Sequence, residues 1–158
     1  MDKLAALYRP LVWLDEEILA PAVGLALRLW VAHIFFKSGL TKIQSMDTTL
    51  MLFEYEYEVP LLPPDIAAYV GTYAELILPV MLALGIGGRF AAVALFVFNA
   101  IAVVSYPSLN ETGKVWHYAW GVAMVPAMLY GPGALSLDYL IRRRFTSDNW
   151  PAADARLS

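Results

Sequence analysis

No cysteine occurs in the 158 residues. That absence excludes disulfides, thiol relays, thiolate-bound zinc and cysteine-ligated iron-sulfur clusters, and it removes any reading of redox compartment from thiols. Charge is also scarce. Charged residues make up 16% of the chain and hydrophobic residues 59%, against roughly 25% and roughly 45–50% in soluble domains. Basic clusters long enough for a nucleic-acid surface are missing: the net charge is -3, and the lysines and arginines are scattered or sit at helix ends. No local H-x-x-x-H spacing is present, so metal or haem ligation is not expected.

What is present is apolar sequence in long runs. A 158-residue chain cannot bury this much apolar surface in a soluble core, whereas a bilayer accepts it on every outward helix face. The reading is all-α: an integral membrane four-helix bundle with both termini cytoplasmic and a short amphipathic C-terminal helix. Residues 1–17 form a cytoplasmic N-terminal segment, 18–145 the four-helix domain, and 146–158 a cytoplasmic tail expected to be disordered. Asp15, Glu16 and Glu17 directly precede the first apolar run, unlike the positive flank of a cleavable signal, so that run is expected to be retained as a helix.

The expected spans are Ile18–Leu40, Ile66–Ile86, Phe90–Tyr106 and Val115–Tyr130. Pro63 and Pro64 suit the start of the second, and Gly85-Ile86-Gly87-Gly88, Pro107 and Gly131-Pro132-Gly133 punctuate the ends. The acidic stretch Asp47–Asp65, with Glu54, Glu56 and Glu58, reads as an extramembrane connection. Ser136-Leu137-Asp138 caps a short helix ending in Arg142-Arg143-Arg144. Lys3, Arg9, Arg89 and that triple arginine fall on one side, which the positive-inside rule makes cytoplasmic.

Ionisable residues inside such spans are candidates for function. At a rise of about 1.5 Å per residue, Lys37 lies about 8 Å and His33 about 14 Å below Lys42, and Glu75 about 16 Å below Pro64. Asn99 lies at a comparable level on the third helix, His117 within a turn of the outer end of the fourth, and Arg28 lower, toward the cytoplasm. The candidate polar site is therefore Arg28, His33, Lys37, Glu75, Asn99 and His117, with Arg28, His33 and Lys37 as the cations available to Glu75. Two readings stay open: ion pairs that fix helix register, or a site that meets a substrate. Tyr55, Tyr57, Tyr69, Tyr73, Tyr106, Trp116 and Tyr118 match an interfacial aromatic belt, and Trp120 is placed at a cavity wall.

Leu27-Arg28, the segment Phe36–Lys42 (FKSGLTK), Glu75 followed by Pro79, the turn Gly85–Ala92 (GIGGRFAA), and Gly131-Pro132-Gly133 with Ser136-Leu137-Asp138 together resemble the DoxX family of small bacterial four-helix membrane proteins. The resemblance implies a place in the bacterial inner membrane and an accessory role in a quinone-linked oxidoreductase system. A quinone is then the implied cofactor and a redox protein the implied partner, beside the lipid bilayer. The other class of function considered is a non-enzymatic membrane anchor, assembly factor or small-solute binder. Whether the chain is itself catalytic, and its oligomeric state, are not legible in the sequence.

Overall fold

The structure, a computed structural model, describes residues 2–145, with side chains from Tyr8 onward; the tail 146–158 expected to be disordered lies outside the described residues. The chain begins as one continuous helical rod. Helix α1 (Asp2–Leu14) passes through a π-helical segment (Asp15–Leu19) into α2 (Ala20–Gln44). Residues 2–17 are thus helical and lead directly into the first expected span. The other elements are α3 (Met46–Tyr55), α4 (Pro64–Leu84), α5 (Gly88–Val104), α6 (Glu111–Tyr130) and α7 (Leu137–Phe145).

Local chemistry accounts for the boundaries. Pro64 occupies the first turn of α4, where a missing N–H costs nothing. Gly85 ends that helix in the left-handed region at φ 67°, a conformation that favours glycine because it has no Cβ to clash. Asn110 caps α6 by accepting a 2.7 Å hydrogen bond from the Gly113 N–H.

Helices α2, α4, α5 and α6 close a ring in which α2 packs on α4, α4 on α5, α5 on α6 and α6 on α2. Successive members run in opposite directions. The core between them contains Val31, Phe35, Leu82, Leu95 and Met124 together with Ala91, Ala92, Ala123 and Ala127, small residues that let the helices approach closely. The outward faces are apolar: Ile77, Val97, Val122 and Leu129 are all exposed. Two helices, Tyr8–Gln44 and Pro64–Leu84, are long and apolar enough to cross a membrane, and only 22% and 39% of their apolar windows lie inside the protein. A core helix of a soluble protein would be mostly buried, so these windows point to lipid. Helix α5 is apolar but shorter, at 17 residues.

Part of the acidic connection is itself helical: α3 folds against α2 and α4, placing Phe53 on Ala67 and Ala68 in a second core cluster. The Thr49 hydroxyl ties its start to α2 by donating to the Lys42 carbonyl, 3.0 Å away. From Glu56 to Pro63 the chain has no long helix. This strap is fastened to the end of α5 by a 2.8 Å bond from the Glu58 N–H to the Ser105 carbonyl. Glu54, Glu56 and Glu58 themselves are exposed.

Candidate functional site

At this end of the bundle α2, α3, the strap, α4, α5 and α6 enclose a cavity of about 360 Å³. Its walls are mainly aromatic and aliphatic, with Phe53, Tyr57, Phe98 and Tyr106 among them, and Ser38, Lys42, Glu75, Ser105 and His117 supply the polar groups. Tyr57 stacks edge-on between Phe53 and Tyr106, with ring centroids 4.9 Å from each. Tyr57 and Tyr106 therefore leave the expected interfacial belt and turn half-buried into the cavity, whereas Tyr55, Tyr69, Tyr73, Trp116 and Tyr118 are exposed. Burial raises the Tyr57 phenol above its ordinary range, and Tyr106, Glu75 and Glu56 add to the effect, so it stays a neutral hydrogen-bond donor at the mouth.

Glu75 pairs with Lys42. The ammonium lies 2.5 Å from Oε2, and the two side chains are 16% and 8% exposed. Lys42 also donates to the Ser38 hydroxyl at 3.0 Å. The geometry follows from Gly39, where α2 meets α4: a Cβ there would lie 3.0 Å from the Glu75 backbone carbon, its Cβ and Leu76 Cδ2. Gly39→Ala is expected to force the helices apart and cost about 1–3 kcal/mol. The same change should loosen retention of any cavity ligand. Thermal melts in detergent check the first effect, and an unchanged melting temperature would mean that the contact yields freely.

Of the three cations expected for Glu75, the structure brings none to it. His33 and Lys37 are exposed. They match Glu75 in depth, but at about 100° of rotation per residue they fall on the side of α2 opposite Gly39, while Ser38 and Lys42 flank that contact. Arg28 lies at the other end of the bundle, 3% exposed. Its guanidinium donates to the Leu82 and Ala83 carbonyls at 3.3 Å each and to the Leu135 carbonyl at 2.6 Å. These contacts close the C-terminus of α4, whose last carbonyls have no partner within the helix. Arg28 holds the bundle together and does not reach the cavity.

Asn99 and His117 form one unit. Asn99 Nδ2 donates to the His117 carbonyl at 2.9 Å, which turns Oδ1 toward His117 Nδ1, 2.7 Å away. Oδ1 can only accept, so Nδ1 carries the proton and Nε2 of the neutral ring is left as the acceptor. Trp120 packs behind this unit, edge-on to His117 and Phe35. Ser105 completes the polar set: it is 4% exposed, lines the cavity, and its hydroxyl has no hydrogen-bond partner among the described residues. Among those residues no group of three metal-ligating side chains gathers.

The family model for DoxX matches residues 23–107, more than half of the chain. The chain belongs to the DoxX family. Family membership and the two long apolar helices together point to a membrane protein. A protein of Haemophilus influenzae (strain ATCC 51907 / DSM 11121 / KW20 / Rd), described as an uncharacterized protein, is 29% identical over 132 residues, covering 80% of this chain and 87% of that relative. No solved structure matches the chain. The DoxX match spans α2 to the end of α5, and so includes every cavity residue named above except His117.

Lys42, Ser38, Ser105, Tyr57 and Tyr106 belong to the site but not to the set of polar residues expected there. For Lys42 a signal was present: a glycine at a helix contact marks the facing side, and residues adjacent to it or three away border that contact.

Proposed function

We propose that this DoxX protein is a four-span integral membrane protein of the bacterial cytoplasmic membrane, and that its cavity holds the head group of a quinone for a quinone-linked oxidoreductase system. Helices α2, α4, α5 and α6 are the spans. The 17 residues of α5 and 20 of α6 extend about 26 Å and about 30 Å, close to the thickness of a hydrocarbon core. Arg89 and Arg142–Arg144 lie at the end away from the cavity, while Glu54, Glu56, Glu58 and Asp65 border the cavity end. The positive-inside rule supports placing the arginine end and both termini in the cytoplasm.

The observation that carries the head-group reading is the donor set facing an aromatic cavity. Lys42 and the unpartnered Ser105 hydroxyl are donors suited to carbonyl oxygens, and Glu75 and His117 Nε2 are acceptors suited to the hydroxyls of the reduced form. A flat ring with polar groups at its edge suits such walls, and about 360 Å³ lies in the range of small-molecule pockets. Quinone reduction takes up two electrons and two protons; Glu75, Lys42 and His117 are placed to handle the protons, and a redox partner supplies the electrons.

The test is extraction and mass spectrometry of small molecules from protein purified in mild detergent, with Ser105→Ala and Glu75→Gln beside the wild type. Ser105→Ala removes a hydroxyl that no described residue uses, so the melting temperature should hold while quinone retention falls about tenfold. A wild type that carries no quinone, or a Ser105→Ala variant that retains it fully, would sink the head-group reading.

A further inference from the structure

The end of the bundle opposite the cavity carries a second feature that the quinone reading leaves unused. Helix α7 has no buried residue, yet its placement is firmly determined. The Asp138 carboxylate accepts from the Gly87 and Gly88 N–H groups at 3.0 and 2.9 Å, and the Asp138 N–H donates to the Gly85 carbonyl at 3.1 Å. Ser136 caps the helix by accepting from the Tyr139 N–H at 3.2 Å. Arg28 grips the preceding Leu135 carbonyl. These bonds set the roll of α7 about its own axis.

With Asp138 turned toward α5, Arg142 shares its face, four residues on. Arg142, Arg89, Tyr130 and Tyr139 line a cleft of about 480 Å³ between α7, the start of α5 and the end of α6. Away from that face, Leu137, Leu140 and Ile141 are exposed at helical spacing, and Phe145 at the end of the helix is 82% exposed. Arg144, seven residues after Leu137, ends this stripe on the same face, Arg143 lies beside it, and both are exposed. Asp138 is the acidic group lining the cleft, and it accepts from two N–H groups at the N-terminus of α5.

We infer that the exposed face of α7, with Arg143 and Arg144 at its end, forms a docking surface for an anionic phospholipid of the surrounding leaflet. A lipid phosphate supplies the negative charge for Arg144 at the end of the apolar stripe and Arg143 beside it, and its acyl chains cover the stripe that the described residues leave open. One molecule with both chemistries fits the two adjoining surfaces. The inference rests on the reading of the chain as a membrane protein and is independent of what the cavity binds.

The experiment places the full chain in nanodiscs of phosphatidylcholine alone and of phosphatidylcholine with phosphatidylglycerol, and measures melting temperature and lipid retained on transfer to detergent. The expected result is a higher melting temperature with phosphatidylglycerol, an increment that shrinks as salt is raised, and selective retention of that lipid. Arg143→Gln/Arg144→Gln should weaken retention by about fivefold per arginine, and Arg143→Lys/Arg144→Lys should restore most of it. Equal melting in the two lipids, an increment that salt does not reduce, or a lysine variant as weak as the glutamine variant would overturn the inference. So would inorganic phosphate reproducing the increment in phosphatidylcholine discs, since the ligand would then be a free anion. A chain that stays dissolved without detergent and enters neither disc would overturn the membrane reading, and the docking surface with it.

Discussion

Lys42→Met is expected to lower the unfolding free energy by about 3–5 kcal/mol, because it leaves the Glu75 carboxylate buried without its cation. The double variant Lys42→Met/Glu75→Leu should recover most of that loss, since the apolar pair no longer needs desolvated charge. Stability and binding then separate. If the pair serves the cavity, the double variant folds and melts near wild type but loses the bound small molecule. Denaturant titration in mixed micelles, read beside ligand extraction, checks both parts. A single variant as stable as wild type would show that Glu75 does not depend on Lys42 in the folded protein, and a double variant that keeps its ligand would remove the pair from the site.

The second large effect lies at the opposite end. Arg28→Leu removes the donors to three carbonyls contributed by α4 and by the segment before α7, and the expected cost is about 3 kcal/mol or more. Arg28→Lys should not restore it, because one ammonium cannot span the positions that a planar guanidinium reaches. Gly85→Ala strikes the same corner. At φ 67° an added Cβ would run into Ser136 Cβ and lie 2.7 Å from Arg28 Nη1, so the expected cost is about 2–4 kcal/mol from backbone strain and overpacking. The two losses should add incompletely, since removing the guanidinium removes one of the atoms that the new methyl meets. A double-mutant cycle by chemical denaturation measures that coupling, and full additivity would mean that Gly85 and Arg28 act on separate parts of the fold.

The segments that carry the family resemblance divide between these two ends. Leu27-Arg28, the Gly85–Ala92 turn and Ser136-Leu137-Asp138 meet at the α7 end, where Arg28 bonds Leu82, Ala83 and Leu135 and Asp138 bonds Gly87 and Gly88. Phe36–Lys42 and Glu75 meet at the cavity. A family signature therefore marks both a structural corner and a candidate site, and sequence alone does not separate them.

The all-α character, the long apolar runs and the ends of the helices were legible in the chain because each rests on local chemistry. Prolines at Pro63 and Pro64, the left-handed glycine at Gly85 and the Ser136 cap act on the backbone within a few residues of themselves. Glu75, Asn99 and His117 were legible as polar groups in apolar surroundings, since burying such groups is costly wherever the helix turns. Their partners belong to another level. Depth along a helix follows from residue count, but the direction a side chain faces depends on which stripe packs, and that is settled by contacts with other helices. The Gly39 contact turns Lys42 toward Glu75 and leaves His33 and Lys37 outside. The folding of α3 and its strap over the bundle, which brings Phe53, Tyr57 and Tyr106 to one cavity, likewise rests on packing between segments far apart in the chain. Only the tertiary structure decided these, because periodicity records that a residue is apolar or charged and carries no record of the surface it will meet.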